Sequence, residues 1–501
     1  MAGMKRFLFC IPILFLVCTF SQARENAVID LTILHLNDLH GHLLPKPGRE
    51  GKPATGGMAR IAKMVSDERE KNPEGTLLLS AGDMFQGTPI SSLFGGKPVI
   101  EVMNRMGFDA MTVGNHEFDQ GMEAFDELRS AANFPFLSAN IVDGKGRLLP
   151  GVKPYIILRK KGLKIAVIGI ATPETHYAKK TGNLKGYRVS PVENILPGLI
   201  EKVRKKGAGP VIVLSHMGLD EDREMASVVK GIDLIVGGHS HTEVRTPVVV
   251  GTTIIVQAGY YGQQLGVMKI SVNAASGKIV QYPGRRILRK VRAGPRDPCD
   301  AAVTAIIKKY DDRIRGEFGR VVGETRVDLA KRPYESNLGN LVCDAMRRAT
   351  GSDVAIQNNG GIRTTIPKGK ITLEQVYMLL PFENNLMTME LTGSQIAGIL
   401  EQNARTRGML QVSGLKVVYD LTAPEGSRVK TLFIGGKPVE QTRSYRVTTN
   451  DFLAAGGDRF GIFREGKNAV IGDSVRDAFL DYLREQSPVF PRTEGRIVVT
   501  P

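Results

Sequence analysis

The stretch LHLNDLHGHL, residues 34–43, decides how this chain reads. An apolar run, Leu31 to Leu36, leads into Asn37, Asp38 and His40-Gly41-His42. Such groups are costly to bury unless something satisfies them. A β-strand that ends in groups of this kind fits an open α/β sheet, whose sites lie outside the carboxyl ends of the strands.

The pattern recurs along the first half of the chain. Short β-branched runs alternate with helical stretches from Val28 to about Gly266, as in an α/β fold. The strand candidates are 31–36, 76–79, 110–113, 164–170, 211–214, 234–236 and 253–257. Most are followed within a few residues by Gly, Asp, Asn or His. Ala81-Gly82-Asp83 follows the second, Gly114-Asn115-His116-Glu117 the third, and Ser215-His216 and Gly237-Gly238-His239-Ser240-His241 follow later ones. Glycine lets the backbone turn sharply at such points.

The chain has only 8 histidines, and six of them (His40, His42, His116, His216, His239, His241) fall in these motifs. Scattered histidines are usually surface or satisfied core residues; this placement is not scattered. Asp38 and His40 sit at alternate positions and can share an ion if the backbone curls. The two oxygens of Asp83 can bridge two cations. Mixed imidazole, carboxylate and amide ligands suit Zn, Mn, Fe or Co better than Ca²⁺.

Bulk properties narrow the class. At 501 residues, two large domains are expected. Lys5 and Arg6, the apolar stretch Phe7 to Phe20 and Ser21-Gln22-Ala23 read as a signal peptide, 1–23, cleaved after Ala23 for export to the periplasm or medium. No later run is long and apolar enough for stable membrane insertion. Cys10 and Cys18 leave with the signal; Cys299 and Cys343 allow one disulfide and exclude a cysteine metal cage. Removing Lys5 and Arg6 takes the formal charge from +16 to +14. The basic runs are dispersed and lack interleaved aromatics, so no nucleic-acid partner is expected; solvated faces that attract small anionic substrates fit better.

Gly284 to Pro298, rich in Gly, Pro and Arg, suggests a boundary. Asp300 can cap a helix running to about Gly316, with Val303, Ile306, Ile307, Tyr310 and Ile314 on one face. Beyond Val321 a second, α+β domain follows. There Gln357-Asn358-Asn359-Gly360-Gly361-Ile362-Arg363 follows a strand, and Arg363 offers a bidentate grip on phosphate. Leu380-Pro381-Phe382-Glu383-Asn384 places one Phe beside polar residues, and Asn450-Asp451-Phe452-Leu453-Ala454-Ala455-Gly456-Gly457-Asp458 places another in a Gly-rich loop. Phe residues so placed are candidates for exposed stacking surfaces, and every base has a π-face.

These motifs together resemble the calcineurin-like metallophosphoesterase superfamily and, more narrowly, the secreted bacterial 5′-nucleotidase / UDP-sugar hydrolase family. The resemblance implies a four-layer metallophosphoesterase β-sandwich flanked by helices (24–296), a connecting helix and hinge (297–320) and a nucleotide-binding α+β domain (321–501). It implies two divalent metal ions (Zn, Mn or Co). One would be held by Asp38, His40, Asp83 and His241, the other by Asp83, Asn115, His216 and His239. His42 falls outside the set, as a supporting or surface residue. His116 would stabilise charge on the transferred phosphoryl group and Asp119 orient its ring; on the residues alone, Asp119 could equally cap a helix starting near Gly121. Phe382 and Phe452 would sandwich the base, Asp458 bind the ribose, Asn358 line the base site and Arg363 contact phosphate. Many relatives carry an Arg before the Asn-x-Gly-Asn motif where this chain has Tyr334, with Arg332 nearby.

The implied activity is a nucleotide phosphohydrolase in which metal-bound hydroxide attacks phosphorus between two cations about 3.5–4 Å apart. The alternatives are a 2′,3′-cyclic nucleotide phosphodiesterase/3′-nucleotidase, a thiosulfohydrolase on the same scaffold, and a non-catalytic nucleotide-binding surface protein. The aromatic pair argues against the thiosulfohydrolase, and the complete ligand set argues against the non-catalytic reading.

Overall fold

The computed structural model describes residues 27–46, 53–173, 175, 184, 186–294, 297–406 and 408–500. The signal peptide assigned to 1–23, with Cys10 and Cys18, lies outside them, as does His176. Among the described residues no helix is long and apolar enough to cross a membrane.

The opening strand spans Val28–Leu36 and is buried from Leu31 onward. Side chains alternate across a strand. Leu31 and Ile33 therefore enter the core between two sheets, while Leu34 and Leu36 face an outer helical layer. Burial on both faces explains why the run reads as continuously apolar. The first sheet runs in the order Ile279–Gln281, Gln264–Asn273, Val28–Leu36, Thr76–Ser80, Ala110–Thr112, Phe136–Leu137. The second runs Val248–Val250, Thr253–Gln257, Leu234–Gly237, Val211–His216, Leu163–Ala171, Tyr155–Lys160.

The two sheets pack face to face through residues such as Ile33, Leu79, Val167, Leu214 and Val236. Helices cover each outer face, giving four layers. Val28–Leu36, Thr76–Ser80, Ala110–Thr112 and Phe136–Leu137 pair in parallel. So do Leu163–Ala171, Val211–His216, Leu234–Gly237 and Thr253–Gln257. Parallel pairing sends the strand ends of each sheet to one edge, so each polar motif is delivered by topology rather than by loop length.

The helix Leu219–Val228 packs against the second sheet and buries Asp222 completely. Burial, aided by Glu221, pushes this carboxyl from 3.8 up to about 8. The folded state therefore holds the proton more tightly than the unfolded chain. That contribution to stability is complete below about pH 4 and is lost as pH rises to about 8. Asp222→Asn keeps the shape and removes the titration. Its melting temperature is expected to change less than that of the wild type between about pH 5 and about pH 9; parallel pH profiles for the two proteins would contradict this account.

Asp300 caps the helix Ala301–Phe318 by accepting from the Val303 amide at 2.8 Å. Val303, Ile307, Tyr310, Ile314 and Phe318 form its buried face. The helix runs past Gly316 because Phe318 still finds a buried place. That face belongs to one continuous apolar cluster that also takes in Leu34 and Met111 from the first half and Leu341, Leu379 and Leu483 from the second.

The second half holds a five-stranded sheet in the order Leu410–Ser413, Val354–Asn358, Ser444–Asn450, Asn385–Thr392, Lys467–Ser474. Val354–Asn358 and Ser444–Asn450 are parallel. Their carboxyl ends therefore lie side by side, and from them extend the loops bearing Asn358 to Arg363 and Phe452 to Asp458.

Candidate dimetal site

Five polar residues of the first-half motifs, Asp38, His40, Asp83, His239 and His241, adopt positive φ between 49° and 72°. Non-glycine residues rarely take this conformation, and clusters of it mark functional sites where surrounding structure enforces the strain. The backbone is held by Asp38 N–H to Gly82 O at 3.0 Å and His40 N–H to Asp83 O at 3.0 Å. Glycine is required at 82, where φ is +85° and a Cβ would lie 2.8 Å from the Gly114 nitrogen and from His216 Nδ1.

The ligand atoms fall into two groups. Asp38, His40 and His241 form one, and Asp83, His216 and His239 the other; within each, the atoms lie within 4.8 Å of one another. Asp83 joins them: its Oδ2 is 3.1 Å from His216 Nε2 and 3.8 Å from His40 Nε2. The Asn115 side-chain oxygen is 3.2 Å from His216 Nε2. His40 Nδ1 meets Gln86 O at 2.9 Å and His216 Nδ1 meets Ala81 O at 2.6 Å. Each ring thus donates through Nδ1 and leaves the Nε2 lone pair facing inward, the arrangement expected of metal-ligating histidines. His40 Nε2 and His241 Nε2 approach to 3.2 Å. Converging lone pairs and two carboxylates, Asp38 and Asp83, almost fully buried make a donor set that fits divalent cations.

The electrostatics agree. Burial works to raise Asp83, but His216 and His116 outweigh it and hold the carboxyl well below the usual carboxylate range. Burial works to lower His216, but Asp83 lifts it to about 10. A proton on His216 and a cation would compete for one lone pair.

His116 belongs to neither ligand group. Its Nδ1 is 2.8 Å from Asp119 Oδ2, and burial of its ring is outweighed by Asp119 and Asp83, which raise its pKa. Asp119 does not cap the following helix: Gln120 occupies the N-cap of Gly121–Ala131, without a side-chain cap. Glu117, which sequence reasoning passed over, is the clamp of the site. Its carboxylate accepts from the amides of Asp83 at 3.0 Å, Met84 at 2.8 Å and Gly114 at 2.6 Å. Burial, reinforced by Asp83, lifts it to about 7. Its place in the Gly-Asn-His-Glu motif was the available signal.

The second half closes over this centre. A cleft is lined by Asp83, Asn115, His116, Asp119, His239 and His241 from one side and by Asn358, Arg363, Phe382, Phe452 and Asp458 from the other. Asn358 donates to Asp458 at 2.6 Å and accepts from Asn450 at 3.0 Å. Arg363 Nη2 reaches 3.3 Å from His40 Nε2. Phe382 corrects the expectation of an exposed stacking face. It is 8% exposed, and its ring lies 5.1 Å from the His116 ring at an interplanar angle of 18°.

The remaining sequence candidates sit elsewhere. His42 is buried and stacks on Tyr261 at 3.9 Å. Cys343 is buried, Cys299 exposed, and both are free thiols. Tyr334, with φ 62°, packs its ring against Tyr419. The Arg332 carbonyl accepts from Gln411 at 3.3 Å.

The two packed sheets bring the two ligand groups together at their strand ends, and the calcineurin-like phosphoesterase family matches residues 31–243. The 5′-nucleotidase C-terminal domain matches residues 321–465. Snake venom 5′-nucleotidase of Crotalus adamanteus is 32% identical, over 94% of this chain and 88% of its own. The crystal structure of a 5′-nucleotidase precursor from Thermus thermophilus superposes with a TM-score of 0.84 at 33% identity, covering 94% of this chain and 100% of that one. A sulfate thiohydrolase of the same organism follows with a TM-score of 0.79 at 25% identity, covering 94% and 96%. The chain belongs to the 5′-nucleotidase family, a family of metal-dependent phosphoester hydrolases.

Proposed function

We propose that this protein hydrolyses the phosphate esters of nucleotides, with nucleoside 5′-monophosphates as the reference substrates and UDP-sugars as an extension. One observation carries the reading: a single cleft unites the two metal-ligand groups with the two Phe residues and Asp458. A metal centre alone does not single out a nucleotide, and an aromatic pair beside it supplies a platform for a base.

Two divalent cations, on Asp38, His40, Asp83 and His241 and on Asp83, Asn115, His216 and His239, would supply Lewis acidity and lower the pKa of an attacking water. The chain's own groups do the rest. Asp119 holds His116 Nδ1, so that Nε2 presents a proton to the phosphoryl oxygens. Arg363 grips phosphate, Phe382 and Phe452 take the base, Asp458 accepts from the ribose hydroxyls, and Asn358 borders the base. The apolar stretch Phe7 to Phe20 supports export of the enzyme.

Phosphate release is measured across nucleoside monophosphates, a diphosphate, UDP-glucose and a 2′,3′-cyclic nucleotide, with Mn²⁺, Zn²⁺ or Co²⁺ and with a chelator. Release that chelation abolishes is expected, greatest for 5′-monophosphates. Turnover confined to the cyclic nucleotide favours the phosphodiesterase; no release from any nucleotide favours a binding protein. Phe452→Ala is expected to weaken nucleotide affinity by roughly 1–3 kcal/mol, about 5- to 150-fold, with far less effect on a small aryl phosphate. Equal losses on both would contradict the base platform.

A further inference from the structure

Gln86 lies in the loop after Asp83 and is 5% exposed. Three of its polar groups go three ways. The backbone carbonyl meets His40 Nδ1 at 2.9 Å, so it sets the tautomer of that histidine. The side-chain oxygen accepts from Ser92 Oγ at 3.1 Å. The side-chain nitrogen donates to the carbonyl of Pro381, 295 residues away in the second half, at 2.8 Å.

Pro381 immediately precedes Phe382, whose ring stacks on His116. The same carbonyl is held from the other side. Arg476, on the helix Val475–Gln486, donates to Leu380 O at 2.9 Å, to Pro381 O at 3.0 Å and to Phe382 O at 3.2 Å. Its guanidinium lies 4.0 Å from the centre of the Tyr377 ring. Charge-assisted bonds of this kind are the stronger ones, so Arg476 anchors residues 380–382 to the second half. The Gln86 amide then ties that segment to the loop that orients His40.

We propose that Gln86 is a positioning residue, a latch that makes the seating of Phe382 on His116 depend on the ordered metal-side loop. An ordinary contact between packed halves would join surfaces with no common role. Here one residue fixes the tautomer of a ligand histidine through its backbone and places the aromatic platform through its side chain. Misplacement of a positioned group by about 1 Å can cost 10²-fold in rate. The inference rests on the functional reading of His40 and Phe382 given above.

The test compares wild type with Gln86→Leu and Gln86→Met. Both keep the bulk and the backbone carbonyl and remove the amide; Met, straight-chained like Gln, serves if Leu does not fold. The ratio of kcat/KM for a nucleoside monophosphate to that for a small aryl phosphate is expected to fall about tenfold or more, at unchanged metal content. Small-angle scattering of the metal-free protein is expected to show a larger radius of gyration in the variants. A ratio equal to that of wild type, or an unchanged radius, overturns the latch. If wild type itself releases no phosphate from nucleotides, the functional reading fails, and scattering alone then decides whether Gln86 holds the halves together.

Discussion

His116→Ala is expected to lower phosphate release from nucleotides by about 10²–10⁴-fold while metal content stays unchanged. The ring lies outside both ligand groups, with Nε2 4.0 Å from Asp83 Oδ2. Removing it takes away a charged donor at the phosphoryl oxygens, an interaction that strengthens as the transition state forms. kcat should therefore carry the loss rather than KM. Asp119→Asn should cost less, because the amide oxygen can still accept from Nδ1 while the charge that raises the pKa of His116 is gone. Metal loss in His116→Ala, measured by elemental analysis, would contradict the assignment of His116 as a non-ligand.

Asp83→Asn is expected to be the more damaging change, with turnover down about 10³-fold or more and metal content falling from about two ions per chain to about one or fewer. Asp83 serves both groups, and an amide offers one oxygen where the carboxylate offers two. Its backbone would stay in place, since Glu117 still accepts from its amide. The defect would thus be one of charge and coordination, not of folding. Full retention of two ions by a well-folded variant would show that Asp83 is not shared.

Much of this site was legible because the motifs sit at strand ends. Each polar cluster follows an apolar run, and parallel pairing gathers runs of that kind at one edge; no spacing between distant motifs had to be guessed. The helix 301–318 was legible from Asp300 and its apolar stripe, apart from two final residues beyond Gly316. Contacts that span the chain were not legible. Glu117 bonds amides 33 and 34 residues upstream, and Gln86 reaches Pro381 across 295; nothing local in either residue announces its partner. Backbone strain was equally hidden, since Asp38, His40, Asp83, His239 and His241 oppose their own conformational preferences. Functional sites are where local preference and global structure are expected to disagree. Phe382 shows the same limit: its polar neighbours Glu383 and Asn384 suggested exposure, whereas the second half folds it onto His116.

The central claim is that two ions share Asp83. Anomalous diffraction from crystals of the protein loaded with Mn²⁺ or Zn²⁺ addresses it without any assay. Two peaks about 3.5–4 Å apart, one beside His40 and His241 and the other beside His216 and His239, with the Asp83 carboxylate between them, are predicted. A lone peak, or peaks away from these side chains, would contradict the account.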